Sequence, residues 1–102
     1  MSAQLTEKEF SKHVNTTFRV AVEPPVDLEL IEVKGYMSKA EEEAGMERFS
    51  AFFRGPREGF LQQNTYAFEH EQMGTFALFL VPVKQDPNGF RYEAVFNYYK
   101  NP

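Results

Sequence analysis

The sequence predicts a mainly β domain: a small antiparallel six-stranded barrel or sandwich that ends in a three-stranded meander and carries one short N-terminal helix. Three observations lead there. From Thr16 onward apolar and polar residues alternate in successive short runs, the period of strands with one buried face. Gly, Pro, Asn and Asp interrupt those runs at short intervals, which leaves no length for crossover helices. Only the stretch near the N-terminus has helical spacing.

The helix starts at Thr6, a capping residue, with Glu9 three positions on to complete a capping box and Leu5 and Phe10 at the staple positions. It is predicted over about residues 7–14. Phe10, His13 and Val14 share one face, opposite Glu7, Lys8 and Ser11. A helix this short persists only when docked, so it is expected to close one end of the β structure. Phe18, Val20 and Val22 then alternate with Thr17, Arg19 and Ala21 until Glu23-Pro24-Pro25 stops the strand. Val26, Leu28 and Leu30 begin the next strand, but Ile31 and Val33 continue it one residue out of phase. That slip predicts a β-bulge at Leu30-Ile31. Lys34 to Met46, with Gly35, Ser38, Glu41-Glu42-Glu43 and Gly45, sustains no period and reads as a loop with room for a short helical turn. Phe49, Ala51 and Phe53 form a strand that ends in the Gly55-Pro56 turn.

The remaining segments, about Gln63–Gln72, Thr75–Gln85 and Phe90–Tyr99, are predicted to form the meander. Met73-Gly74 supplies the first reversal and Asp86-Pro87-Asn88-Gly89 the second, with Asp at i, Pro at i+1 and Gly at i+3. The middle strand is apolar on both sides from Phe76 to Val81. It is expected to be the most buried strand, with Phe79 in the core.

A chain of 102 residues makes a single domain over residues 1–102. It has no cysteine, which excludes disulfides, thiolate metal sites and a Cys nucleophile. Eleven basic and fifteen acidic residues give 11 − 15 = −4, so nucleic acid is disfavoured as a partner. The longest apolar run, Phe76 to Val83, contains Pro82 and is far short of the roughly 20 residues a membrane helix needs. Met1 to Leu5 has neither a basic stretch nor an apolar run. The expectation is a cytoplasmic protein with no membrane association.

Phe53-Arg54-Gly55-Pro56, Leu61-Gln62-Gln63-Asn64-Thr65-Tyr66, His70 with Gly74 four residues on, Phe79-Leu80-Val81-Pro82-Val83 and Tyr92-Glu93-Ala94-Val95-Phe96-Asn97 stand in a fixed order. Together with Phe10-x-x-His13-Val14 and Phe18, they resemble a family of bacterial proteins of about one hundred residues known as a domain of unknown function. The resemblance implies a compact β-rich domain, made alone or beside phage-tail-like and surface-fibre proteins. It assigns no catalytic or binding residue.

Candidate sites are few. His70 shares a strand face with Tyr66 and Phe68, and a histidine there could act as a base. Period two sends Glu69 and Glu71 to the other face, which favours a packed histidine bonded to a backbone carbonyl or a hydroxyl. His13 and His70 could meet in space and recruit a carboxylate, but no ligand spacing announces a metal. Arg48, Arg54 and Arg57 around Gly55-Pro56 form the one local basic cluster. With Tyr66 and His70 they are the candidate contacts for an anion or ligand, although Glu47 and Glu58 stand beside the arginines to pair with them. Asp86-Pro87-Asn88-Gly89 lacks the closing Glu of a calcium loop, Val95 standing there.

Eleven Phe and five Tyr suit a filled small barrel better than a hollow one, and leave Phe52, Asn97, Tyr98 and Tyr99 as a candidate interface. The expected function is a non-catalytic structural or protein-interaction module without cofactors, a component or accessory of a phage-tail-like or surface-fibre assembly, with a protein partner or self-association. The alternative is a barrel that binds a small ligand or glycan in an aromatic-lined cleft.

Overall fold

The computed structural model describes residues 4–100. Its elements are α1 (Glu7–Ser11), β1 (Thr17–Val20), β2 (Val26–Gly35), α2 (Lys39–Glu43), β3 (Met46–Gly55), β4 (Asn64–His70), β5 (Gly74–Asp86) and β6 (Gly89–Tyr99). The strands lie in the order β1-β2-β3-β6-β5-β4 and close into a barrel, and every pairing is antiparallel. Of the two expected architectures, the structure is thus the barrel. Two meanders, β1-β2-β3 and β4-β5-β6, are joined by β3 against β6 over ten residue pairs and by β1 against β4 at only Arg19↔Glu69 and Val20↔Phe68. No helix among the described residues is long and apolar enough to cross a membrane.

The interior is filled by rings. Phe49 stacks on Phe96 with centroids 4.3 Å apart, Phe53 meets Phe18 at 5.4 Å and Phe68 at 5.5 Å. Phe10, carried by α1, reaches Phe18, Phe49, Phe76 and Phe96 at 5.3–6.0 Å. The helix therefore plugs one end of the barrel with a single large side chain.

Helix α1 is shorter than the spacing predicts. Asn15 adopts a left-handed φ of 72°, and that turn redirects the chain into β1 after Lys12 caps the helix. Thr6 accepts from the Glu9 N–H at 3.1 Å, but the reciprocal half of the expected capping box is missing. The Glu9 carboxylate turns instead to Lys12 and His13. A complete box occurs at α2, where Ser38 and Glu41 bond each other's backbone N–H.

The bulge expected at Leu30-Ile31 is present as a register shift between Leu30 and Glu32. A second shift lies between Pro82 and Lys84, where proline cannot donate to the ladder. The Asp86-Pro87-Asn88-Gly89 turn closes with Asp86 paired to Gly89.

The expectation for the middle strand is overturned. On β5 only Leu78 and Leu80 are fully buried, and Phe79 is 51% exposed. A closed barrel has one interior, and among the described residues no second layer covers β5 from outside. The most buried strand is β3, with Phe49, Ala51 and Phe53 inaccessible to solvent.

Candidate functional site

Strands β5 and β6 pair only from Val81↔Glu93 to Asp86↔Gly89. Beyond that point they separate: Phe76–Leu80 pair with β4 alone, and Ala94–Tyr99 with β3 alone. Phe10 stands between the diverging strands, with Phe76 on one side and Phe96 on the other. On the outside the separation leaves a groove of about 690 Å³, lined by Ala77, Leu78 and Phe79 of β5, by Ala94, Val95, Phe96 and Tyr98 of β6, and by Gln4, Leu5, Thr6 and Lys100.

The N-terminal segment is held against this groove by two bonds. The Tyr98 hydroxyl donates to the Leu5 carbonyl, and the Glu7 N–H donates to the buried Glu47 carboxylate at 2.8 Å. Burial pushes the Tyr98 hydroxyl pKa up, and the nearby Glu47 adds to the shift, so the group stays a neutral donor. Glu47 also faces Lys100 at 3.4 Å. Phe79 at 51% and Val95 at 61% exposure are the exposed apolar side chains of the lining, and Tyr99 at 65% is exposed farther along β6.

The proposed interface residues divide accordingly. Tyr98 lines the groove, while Asn97 and Tyr99 project outward from β6 beside Val95. Phe52 is elsewhere, on the outer face of β3, half-buried beneath the Arg91 guanidinium at 5.9 Å in a depression with Glu32, Lys34, Val83 and Lys84.

The arginine cluster is not assembled. Arg48 and Arg54 lie on one strand about 20 Å apart. Arg48 binds Glu41 of α2 at 2.9 Å, Arg54 faces Asp86 at 3.8 Å, and Arg57 makes no ion pair among the described residues. Their carboxylate partners are thus Glu41 and Asp86, in place of the adjacent Glu47 and Glu58, because strand residues project to alternate faces. Tyr66 donates to the Gln62 carbonyl at 2.6 Å and stands four residues from His70 on β4, about 13 Å along the strand.

His70 does meet His13. The rings are 4.7 Å apart and edge-on, both histidines are under a tenth exposed, and His70 also lies on Phe18 at 4.2 Å. His70 Nδ1 accepts from the N–H groups of Gln72 and Met73, each at 3.1 Å. Two donors at one nitrogen require it to be unprotonated, so the ring proton is on Nε2 and is given to Thr16 Oγ1 at 2.9 Å. The Thr16 hydroxyl in turn donates to the His13 carbonyl at 2.6 Å. Burial lowers the His70 pKa, His13 lowers it further, and Glu71 partly opposes them. The neutral imidazole thus staples the β4–β5 turn to the end of α1, with both nitrogens engaged. His13 turns to Glu9 at 3.3 Å, and among the described residues no three His, Asp or Glu side chains are placed to hold a metal.

Of the groove residues only Tyr98 was a candidate from the sequence. Those on β5 and β6, Phe79 and Val95 among them, lie in runs without charge from Phe76 to Leu80 and from Ala94 to Tyr99, a signal that reads equally as burial.

No curated protein and no solved structure matches the chain. A match to the family model over residues 5–96, nearly the whole of the barrel and its plugging helix, shows that the chain belongs to the family described as "Domain of unknown function (DUF6916)".

Proposed function

We propose that the domain is a non-catalytic protein-interaction module, a component or accessory of a phage-tail-like or surface-fibre assembly, and that the β5/β6 groove is where it engages its partner. The observation that carries this reading is the seam itself: two separated strands whose facing segments carry no charge, with exposed apolar side chains at Phe79 and Val95. Exposed apolar patches of this kind mark contact surfaces. The histidine pair offers little competition, since both ring nitrogens of His70 and Nε2 of His13 are bonded within the fold.

One observation favours a second reading, a small apolar ligand: the groove volume of about 690 Å³ lies in the range of ligand pockets. Its lining supplies few polar groups to orient such a molecule, chiefly Tyr98, Thr6 and Lys100.

Sedimentation at high micromolar concentration, together with affinity capture and reciprocal identification of what is captured, tests the interaction reading. Asn97→Asp combined with Tyr99→Ala is expected to weaken association while leaving the melting temperature unchanged, because both side chains are exposed. A monomer that captures nothing under these conditions overturns the proposal and puts the small-ligand reading first.

A further inference from the structure

We propose that the partner enters the seam as a single extended strand, inserted between β5 and β6 and hydrogen-bonded to the backbone of both. The inference rests on the interaction reading above and specifies what the groove accepts.

A strand in an antiparallel pair directs the backbone groups of alternate residues away from its neighbour. Phe76–Leu80 face β4 on one side, and Ala94–Tyr99 face β3 on one side. Among the described residues no strand pairs with the other side of either segment. Both open edges line the same groove, β5 through Ala77–Phe79 and β6 through Ala94–Phe96. Edge-to-edge docking of a second copy would serve one edge and leave the opposite one facing it unpaired. One inserted strand serves both. Because β5 and β6 run antiparallel, that strand is parallel to one of them and antiparallel to the other.

The distribution of charge points the same way. Where β5 and β6 pair, they carry Lys84, Asp86, Arg91, Glu93 and Pro82. Where they separate, Phe76–Leu80 and Ala94–Tyr99 contain no charged residue and no proline, in a chain that is 25% charged. Charges and prolines are the usual means of keeping a strand edge from pairing with another chain, and both are missing from these two open edges. A charged side chain of the incoming strand would also find no counter-charge along these segments. Leu78, Ala94 and Phe96 are buried beneath the groove, while Phe79 and Val95 flank it. The accepted peptide is therefore uncharged over about five residues, with apolar side chains at alternate positions, the pattern of strand addition.

A displayed library of random linear peptides, selected against the whole protein, is the probe. Selected peptides are expected to be uncharged and to alternate apolar residues. Proline at a central position should weaken binding about tenfold or more, since it removes a backbone donor while keeping an apolar side chain. Amide exchange should slow in both Phe76–Leu80 and Ala94–Tyr99 on binding. Phe79→Lys and Val95→Lys should each abolish capture without lowering the melting temperature, both positions being exposed.

Failure to enrich any peptide overturns strand insertion, as do peptides that tolerate proline, protection confined to one edge, or binding unaffected by either variant. A dimer that competes with the peptide assigns the groove to a second copy. Peptide capture that appears only when residues 1–3 are removed assigns it to this chain's own N-terminus. Either result overturns the proposal. A protein partner captured equally by wild type and both variants leaves the interaction reading standing and removes strand insertion alone.

Discussion

A histidine whose two nitrogens are both bonded inside the fold has a predictable response to acid. Protonating His70 at Nδ1 would break its bonds from the Gln72 and Met73 N–H groups. Burial and the neighbouring His13 hold its pKa below the ordinary 6.5. As pH falls through that ordinary value, the unfolded chain takes up a proton that the folded chain refuses, so stability falls, and the loss levels off below the folded-state pKa. Thermal melts between about pH 7.5 and 5.5 should show this decline, and His70→Gln should flatten it. The Glu9 and Glu41 carboxylates, held below their ordinary 4.5 by hydrogen bonds to Lys12 and the Ser38 backbone, titrate beneath that window. Packing gives a second contrast. Phe53→Ala, at a side chain inaccessible to solvent, should cost about 3–5 kcal/mol in chemical denaturation. Phe79→Ala should stay within about 0.5 kcal/mol, since half of Phe79 is already in water. Both residues read from the sequence as core positions, each a phenylalanine within an apolar stretch of a strand. Whether such a face meets core or solvent depends on what packs against it.

At the scale of elements, the two helices are equal in length and opposite in consequence. Helix α1 carries Phe10 into the barrel, whereas α2 buries no side chain. Thr6→Ala removes the cap on the docked helix and should lower stability by about 1 kcal/mol in urea denaturation, while Glu42→Ala on α2 should be almost silent. The capping pattern was readable at Thr6 and Glu9, but Glu9 has nearer partners in Lys12 and His13. The more complete box, at Ser38 and Glu41, lies in a segment whose lack of periodicity reads as a loop with room for a short helical turn, and α2 is that turn. The Leu30-Ile31 bulge and the Asp86–Gly89 turn were legible because each is written in adjacent residues.

The whole molecule depends on contacts between strands distant in the chain. At the end opposite α1, the β5–β6 hairpin meets β3: a Cβ at Gly89 would stand 2.0 Å from the Gly55 carbonyl oxygen, and Gly89 has a φ of 149°. Gly89→Ala should therefore destabilise the barrel by about 2–4 kcal/mol, read from its denaturation midpoint, through both the clash and the backbone conformation.

Alternation, turn residues and phase slips are local properties, so the sequence by itself determined a chain of six antiparallel strands behind one docked helix, with its bulge and its hairpins. It also carried the uncharged segments of the seam. Only the tertiary structure decided that β3 meets β6 and β1 meets β4, that the sheet closes as a barrel, and that Phe10 sits where β5 and β6 part. Hydrophobicity records that a side chain gains by leaving water. It does not record what the side chain will meet, and Phe79, which faces an open groove, carries the same signal as Phe53, which faces the core.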